Sequence, residues 1–239
     1  MKSALVFAVT FIGLAAIPAF AQESAFAPEP GSSQVVAASS RSRPAVERAL
    51  EITLGAGYAQ GFGDIGASQR SLSDLSSAGG EINLGVGYRL DKRFMVGAYG
   101  SGSKYSTGDF TSGADIWSAT AGVQGNVHFL PDNEWDPWLG LGTGWRGHWV
   151  KNASGTDSRH GWDIARLQVG VDYRVSPEFA MAPYVGAGLT TFFTQQLAGQ
   201  QSFSNVHSPD VNLWVFAGLQ GRFDLFGTST PTVRLASAD

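Results

Sequence analysis

No cysteine occurs anywhere in the 239-residue chain. It can therefore form no disulfide and carry no lipid on a cysteine, and it must fold without covalent staples. Charge is sparse as well. Lys and Arg number 16 against 20 Asp and Glu, a net charge of -4, which gives no encouragement to nucleic acid as a partner. The four histidines, His128, His148, His160 and His207, are scattered without ligand spacing, so neither a metal nor another cofactor is expected. The N-terminal apolar run, residues 4–17, falls short of the roughly 20 residues that a membrane-spanning helix needs. It follows Lys2 and precedes Pro18 and Ala19-Phe20-Ala21, the pattern of a secretory signal peptide over residues 1–21. Residues 22–48 then shift to Ala, Ser, Pro and Glu, with Pro28, Pro30 and Pro44, and read as a flexible linker.

What the chain does have is glycine and alternation. Residues 136–149 split into two sets: Leu139, Leu141, Thr143, Trp145 and Trp149 against Gly140, Gly142, Gly144, Arg146 and His148. A period of two is a β-strand whose faces meet different surroundings. A water-facing surface has no use for a glycine face. A narrow, crowded interior surrounded by apolar material does.

The same theme recurs at 51–58 and 81–88 (Glu-Ile-x-Leu-Gly-x-Gly-Tyr) and at 137–142 and 183–188 (Pro-x-x-Gly-x-Gly). Strands are expected at about 49–60, 80–90, 93–104, 115–130, 136–149, 162–175, 179–194 and 210–225, each long enough for a tilted membrane strand. One face is apolar throughout, as in Ile82, Leu84, Val86 and Tyr88, or Leu167, Val169, Val171 and Tyr173. In the third strand, Met95 and Tyr99 compete with Phe94 and Val96 for that face. The opposite face carries Glu51, Thr53, Asn83, Arg89, Thr120, Gln124, Asn126, Arg166, Gln168, Asp172, Arg174, Gln220 and Arg222. Unpaired charges in a soluble core would each cost several kcal/mol, so this face lines a polar lumen.

Short turns at 91–92, 131–134 and 176–178 alternate with long Gly/Ser-rich loops at 61–79, 105–114, 150–161 and 195–209. That alternation, and aromatics sorted into two girdles, belong to an outer-membrane barrel. Tyr88, Phe94, Phe129, Tyr173, Phe179 and Phe223 mark the short-turn girdle, and Tyr58, Trp117, Trp145, Trp149 and Phe193 the other. The expected fold is all-β: an eight-stranded antiparallel up-and-down transmembrane β-barrel over 49–226, with a C-terminal tail over 227–239.

On the signal peptide, strand number, loop alternation and Pro-(Trp/Tyr)-x-Gly-x-Gly openings, the chain resembles the small eight-stranded barrels of the Gram-negative outer membrane, the OmpA-like, OmpX-like and OmpW-like domains. The resemblance implies an outer-membrane location, with long loops extracellular and both termini periplasmic. It also implies outer-membrane lipid and lipopolysaccharide as surroundings, the barrel assembly machinery as a partner during biogenesis, and a monomer. Such barrels usually end on an aromatic residue; here Phe226 is followed by 13 residues, 227–239, so either the signal is internal or the tail is a periplasmic extension.

For function, the expectation is a structural or surface-interaction role without catalysis. The alternatives are a narrow porin-like channel for small or hydrophobic solutes and a lipid A-modifying enzyme. A soluble lipocalin-like barrel would not present these apolar faces. Candidate catalytic neighbours are Asp157, Ser158 and His160, and His207, Ser208 and Asp210, but adjacent loop residues seldom have triad geometry. The interior polar residues nearest the short-turn end, Glu51, Arg89, Asp172, Arg174, Arg222 and Asp224, are expected to form one structural cluster. Within it, Glu51 and Arg222 would pair across the closing seam.

Overall fold

A computed structural model describes residues 44–64, 71–107 and 113–228. The segment expected to be a signal peptide, most of the expected linker and residues 229–239 lie outside the described residues. The strands are β1 (Ala49–Phe62), β2 (Ser76–Arg89), β3 (Phe94–Thr107), β4 (Asp115–His128), β5 (Trp135–Asn152), β6 (Gly155–Ser176), β7 (Phe179–Gln196), the two-residue β8 (Ser204–Asn205) and β9 (Val211–Leu225); one short helix, α1 (Leu72–Leu75), precedes β2. Each long strand pairs antiparallel with its neighbours in the chain. β1 also pairs with β9 along its whole length, and β6 with β7, so the sheet closes into an eight-stranded barrel with no free edge. β8 adds only a short loop pairing to β7.

The faces follow the parity of the sequence. Leu84, Val86, Val169, Val185 and Leu219 are exposed, while Glu51, Arg89, Asp172, Arg174 and Arg222 are buried. The ambiguity in β3 resolves with Phe94 and Val96 outward and Met95 and Tyr99 inward. Cross-strand aromatic pairs ring the outside at both ends. Phe179 stands 4.8 Å from Phe223 and Trp135 4.8 Å from Tyr173 at the short-turn end, and Trp117 stacks on Trp149 at 3.9 Å at the other.

Inward glycines make room for inward rings on the neighbouring strand. A Cβ at Gly170 would lie 2.6 Å from the Trp138 ring, and one at Gly186 2.3 Å from the Phe216 ring. These are directly opposed large–small pairs, Trp138 with Gly170 and Gly186 with Phe216. An eight-stranded lumen fills well only in this way.

Two expectations change. The supposed long loop at 150–161 is mostly strand: β5 and β6 stay paired to Asn152 opposite Gly155, leaving a two-residue turn, with Gly155 at φ +137°. The linker's last residues are also fixed in place. Ala45 N donates to Pro131 O at 2.8 Å, Glu47 and Thr228 exchange backbone hydrogen bonds, and Ala45 and Val46 are buried. The segment from Pro44 to Arg48 is thus a strap across the short-turn end. It docks because its small apolar side chains match the space beside Ala49 and Gly227.

Candidate functional site: a charged column inside the barrel

The lumen holds three tiers, each built on an arginine that meets at least one carboxylate and the face of an aromatic ring. The lowest, at the short-turn end, brings together all six residues expected there, each at most 1% exposed. Arg89 Nη2 lies 2.7 Å from Glu51 Oε2, and its Nε 3.3 Å from Asp224 Oδ1. Arg174 Nη1 lies 3.4 Å from Asp224 Oδ2. Arg222 places Nη1 2.9 Å from Asp172 Oδ2 and Nε 3.4 Å from Glu51 Oε1, with its guanidinium 5.2 Å from the centre of the Trp138 ring. The seam pair therefore exists, but the shorter link of Glu51 is to Arg89.

Two further members, His128 and Asp136, escaped the sequence reading. His128 Nδ1 is 2.8 Å from Asp136 Oδ2, and its Nε2 is 2.6 Å from Arg222 Nη1. A neutral imidazole donating to Asp136 and accepting from Arg222 satisfies both contacts. Asp136 also accepts from Leu130 N at 2.9 Å, which fixes the turn between β4 and β5. The parity signal was present: His128 follows Asn126 at spacing two on the inward face of β4, and Asp136 precedes Trp138 in the same way on β5. The ligand atoms of His128, Asp136 and Asp172 lie within 4.8 Å of one another, the one such grouping among the described residues. A metal would have to displace the Arg222 guanidinium, which already supplies positive charge to this group.

In the middle tier, Arg166 lies 3.4 Å from Glu81, 3.9 Å from the centre of the Phe216 ring and 5.1 Å from that of Tyr99. Ser103 Oγ donates to Glu81 at 3.0 Å, and Asn83 Nδ2 to Tyr184 Oη at 2.6 Å. Between Thr53, Tyr99, Gln124, Arg166, Gln168 and Gln220 remains a cavity of about 20 Å³, room for roughly one water. In the upper tier, Arg146 forks onto Asp163 through Nε at 2.8 Å and Nη2 at 3.0 Å, and lies 4.4 Å from the Trp214 ring. Thr190 hydrogen-bonds the same carboxylate. Above it Ala59, Leu72, Tyr105, Ile116, Val150, Phe192, Val206 and Trp214 form an apolar cluster, into which α1 contributes Leu72.

Fork geometry and ring stacking suit arginine and would not suit lysine. The lumen is correspondingly less polar than the sequence suggested, because Trp138, Tyr184, Phe192, Trp214 and Phe216 all point inward.

The candidate catalytic neighbours are not assembled. Asp157 Oδ1 accepts from Ala198 N, while the His160 ring lies 5.5 Å from those of Trp145 and Trp149. His207, Ser208 and Asp210 are exposed, with no hydrogen bond joining them.

A closed barrel with an apolar exterior, two aromatic rings and a charged, filled lumen has the architecture of a small membrane-embedded β-barrel. Among solved structures the chain is similar to Neisserial surface protein A, with 14% identity over 74% of this chain and 97% of that one and a TM-score of 0.49. It is also similar to the N-terminal β-barrel domain of OprF from Pseudomonas aeruginosa (13% identity, 75% and 99% covered, TM-score 0.46) and to the outer membrane protein AlkL in DMPC lipid bilayers (12%, 86% and 100%, 0.46). At these identities the likeness is one of fold. No protein-family model matches the chain, and no curated protein matches it.

Proposed function

We propose that the protein is an integral outer-membrane β-barrel with a structural or surface-interaction role, acting without catalysis and without an open pore. The observation that carries this reading is the filled lumen: three arginine tiers and an apolar cap leave room for about one water at mid-barrel. With the interior closed, interaction is left to the outside wall and the loops. The leader over residues 1–21 supports export, and the exposed apolar faces support a bilayer rather than periplasmic water as the surroundings. In this reading the long loops face the cell exterior and both termini the periplasm. The barrel assembly machinery inserts it as a monomer among outer-membrane lipid and lipopolysaccharide.

Two measurements test it. Fractionation should recover the protein in the outer membrane with a heat-modifiable gel shift; recovery as a soluble periplasmic protein would sink the membrane assignment. Purified protein in planar bilayers should show no steady conductance, and reproducible unitary steps would favour the channel instead.

A further inference from the structure

At the long-loop end Arg159 is less closely paired than the arginines lower in the lumen. Arg159 on β6 stands opposite His148 on β5 in the strand register. Its Nε and Nη1 are buried without a hydrogen-bond partner, and among the described residues no carboxylate touches it, although Asp157, two residues away on the same strand, acts on it through its charge. Asp157 accepts from Ala198 N at 2.7 Å, a bond that leaves its charge in place but holds one oxygen away from Arg159. His148 is 0% exposed, yet neither ring nitrogen has a partner. Its ring is caged by Trp214 at 5.8 Å, Tyr105 at 6.0 Å and Phe192 at 6.4 Å. Trp214 Nε1 is likewise buried and unpaired. Arg146 cannot share its counterion, because Asp163 is already forked onto it and bonded by Thr190.

Unpaired donors, and a cation with no carboxylate in contact, are costly in a low-dielectric mouth. Water could satisfy the N–H groups but would leave the guanidinium with only the more distant charge of Asp157. A dense oxyanion does both, since it offers several acceptor atoms to a planar guanidinium and neutralises it. Arg159 is partly exposed, so the approach is from the long-loop side.

We propose that the mouth of the barrel binds a compact tetrahedral oxyanion, a phosphate or sulfate group, between the Arg159 guanidinium and the His148 imidazole. A free ion and a lipid headgroup present the same group, and the recognising chemistry is the same.

The test uses the full chain folded in phosphate-free detergent micelles and titrated with inorganic phosphate or sulfate at constant ionic strength, with chloride as the control. Calorimetry should show saturable heat, and the thermal unfolding midpoint should rise. Arg159→Met should lose both responses, yet in phosphate-free buffer it should melt no lower than the wild type, because it removes two buried unpaired donors and a cation with no carboxylate in contact. His148→Phe keeps the ring packing and should weaken binding by roughly tenfold or more, the scale of one charge-assisted hydrogen bond. Arg159→Lys should retain a weaker response and provides the comparison if Arg159→Met does not fold. Suppression of the phosphate heat by added lipopolysaccharide would assign the site to a lipid-borne phosphate, and an unchanged heat to the free ion. A wild type that responds to phosphate and sulfate no more than to chloride, or an undiminished response in Arg159→Met, would overturn the proposal.

Discussion

Arg89 on β2 and Glu51 on β1 meet at 2.7 Å with both side chains fully buried, and each also reaches across the closing seam to β9. Arg89 extends to Asp224 and Glu51 to Arg222. The seam between the first and last long strands is thus held by side chains as well as by its backbone ladder. Replacing Glu51 by Ala removes a carboxylate facing two buried guanidinium groups, and should cost about 3–5 kcal/mol. The double change Glu51→Ala with Arg89→Met should recover part of that loss, since the stranded cation goes too. Equilibrium urea unfolding in lipid or detergent measures both, and strict additivity of the two single changes would show that the pair is not coupled.

How much of this could be read from the chain depends on the range over which each signal acts. Facing is local: a period of two put Leu84 outward and Arg222 inward, and the structure places both so. Tier membership is not local, since Arg166 and Glu81 lie 85 residues apart and meet only through barrel closure. The inward aromatics were hidden for a related reason. Trp138 and Tyr184 follow prolines in the repeated strand openings and look like wall residues by polarity. They fit the lumen because glycine stands opposite, Gly170 for Trp138 and Gly218 for Tyr184. Sequence spacing tests His128 only as a metal ligand and is blind to a pairing with Asp136 that depends on how β4 turns into β5.

The outer wall should reject charge. Leu84 and Val169 are about half exposed and face what the apolar exterior marks as hydrocarbon. Leu84→Arg or Val169→Arg should each cost on the order of 2–4 kcal/mol in a bilayer. Unfolding in lipid vesicles checks this. Polarity alone would make the inward change Asn83→Arg milder, but the cavity beside Asn83 holds roughly one water, so the larger side chain should also destabilise, through overpacking. Arginine at 84 or 169 without measurable cost would contradict the outward assignment.

The large–small pairing inside the barrel is testable at Gly186. A Cβ there would lie 2.3 Å from Phe216 and 2.5 Å from the Leu167 carbonyl oxygen. The ring can shift but the backbone has little freedom, so Gly186→Val should cost about 1–3 kcal/mol by overpacking. Shortening the ring as well, in Gly186→Val with Phe216→Leu, should restore only the share due to the ring. Full restoration would mean that the backbone contact is unimportant. The same unfolding assay separates these outcomes.

The strap from Pro44 to Arg48 provides the last expectation. It is held by Ala45 N to Pro131 O at 2.8 Å, by Glu47 N to Thr228 O at 3.0 Å and by Thr228 N to Glu47 O at 2.9 Å, with Val46 buried over Gly227. Arg48, exposed and at φ 53°, is the point where the strap turns into β1. Val46→Asp would bury an unpaired charge at a cost of several kcal/mol. The strap has few bonds to lose, whereas β1 is paired on both sides, so the chain should release the strap and keep the barrel. Trypsin should then cut after Arg48 in Val46→Asp far faster than in the wild type, while the barrel keeps its heat-modifiable gel shift. Val46→Ala, which leaves the backbone bonds and adds no charge, should stay resistant. If the Asp variant also resists cleavage after Arg48, the strap is not held by the burial of Val46; if it loses the gel shift, the strap and the barrel unfold as one unit.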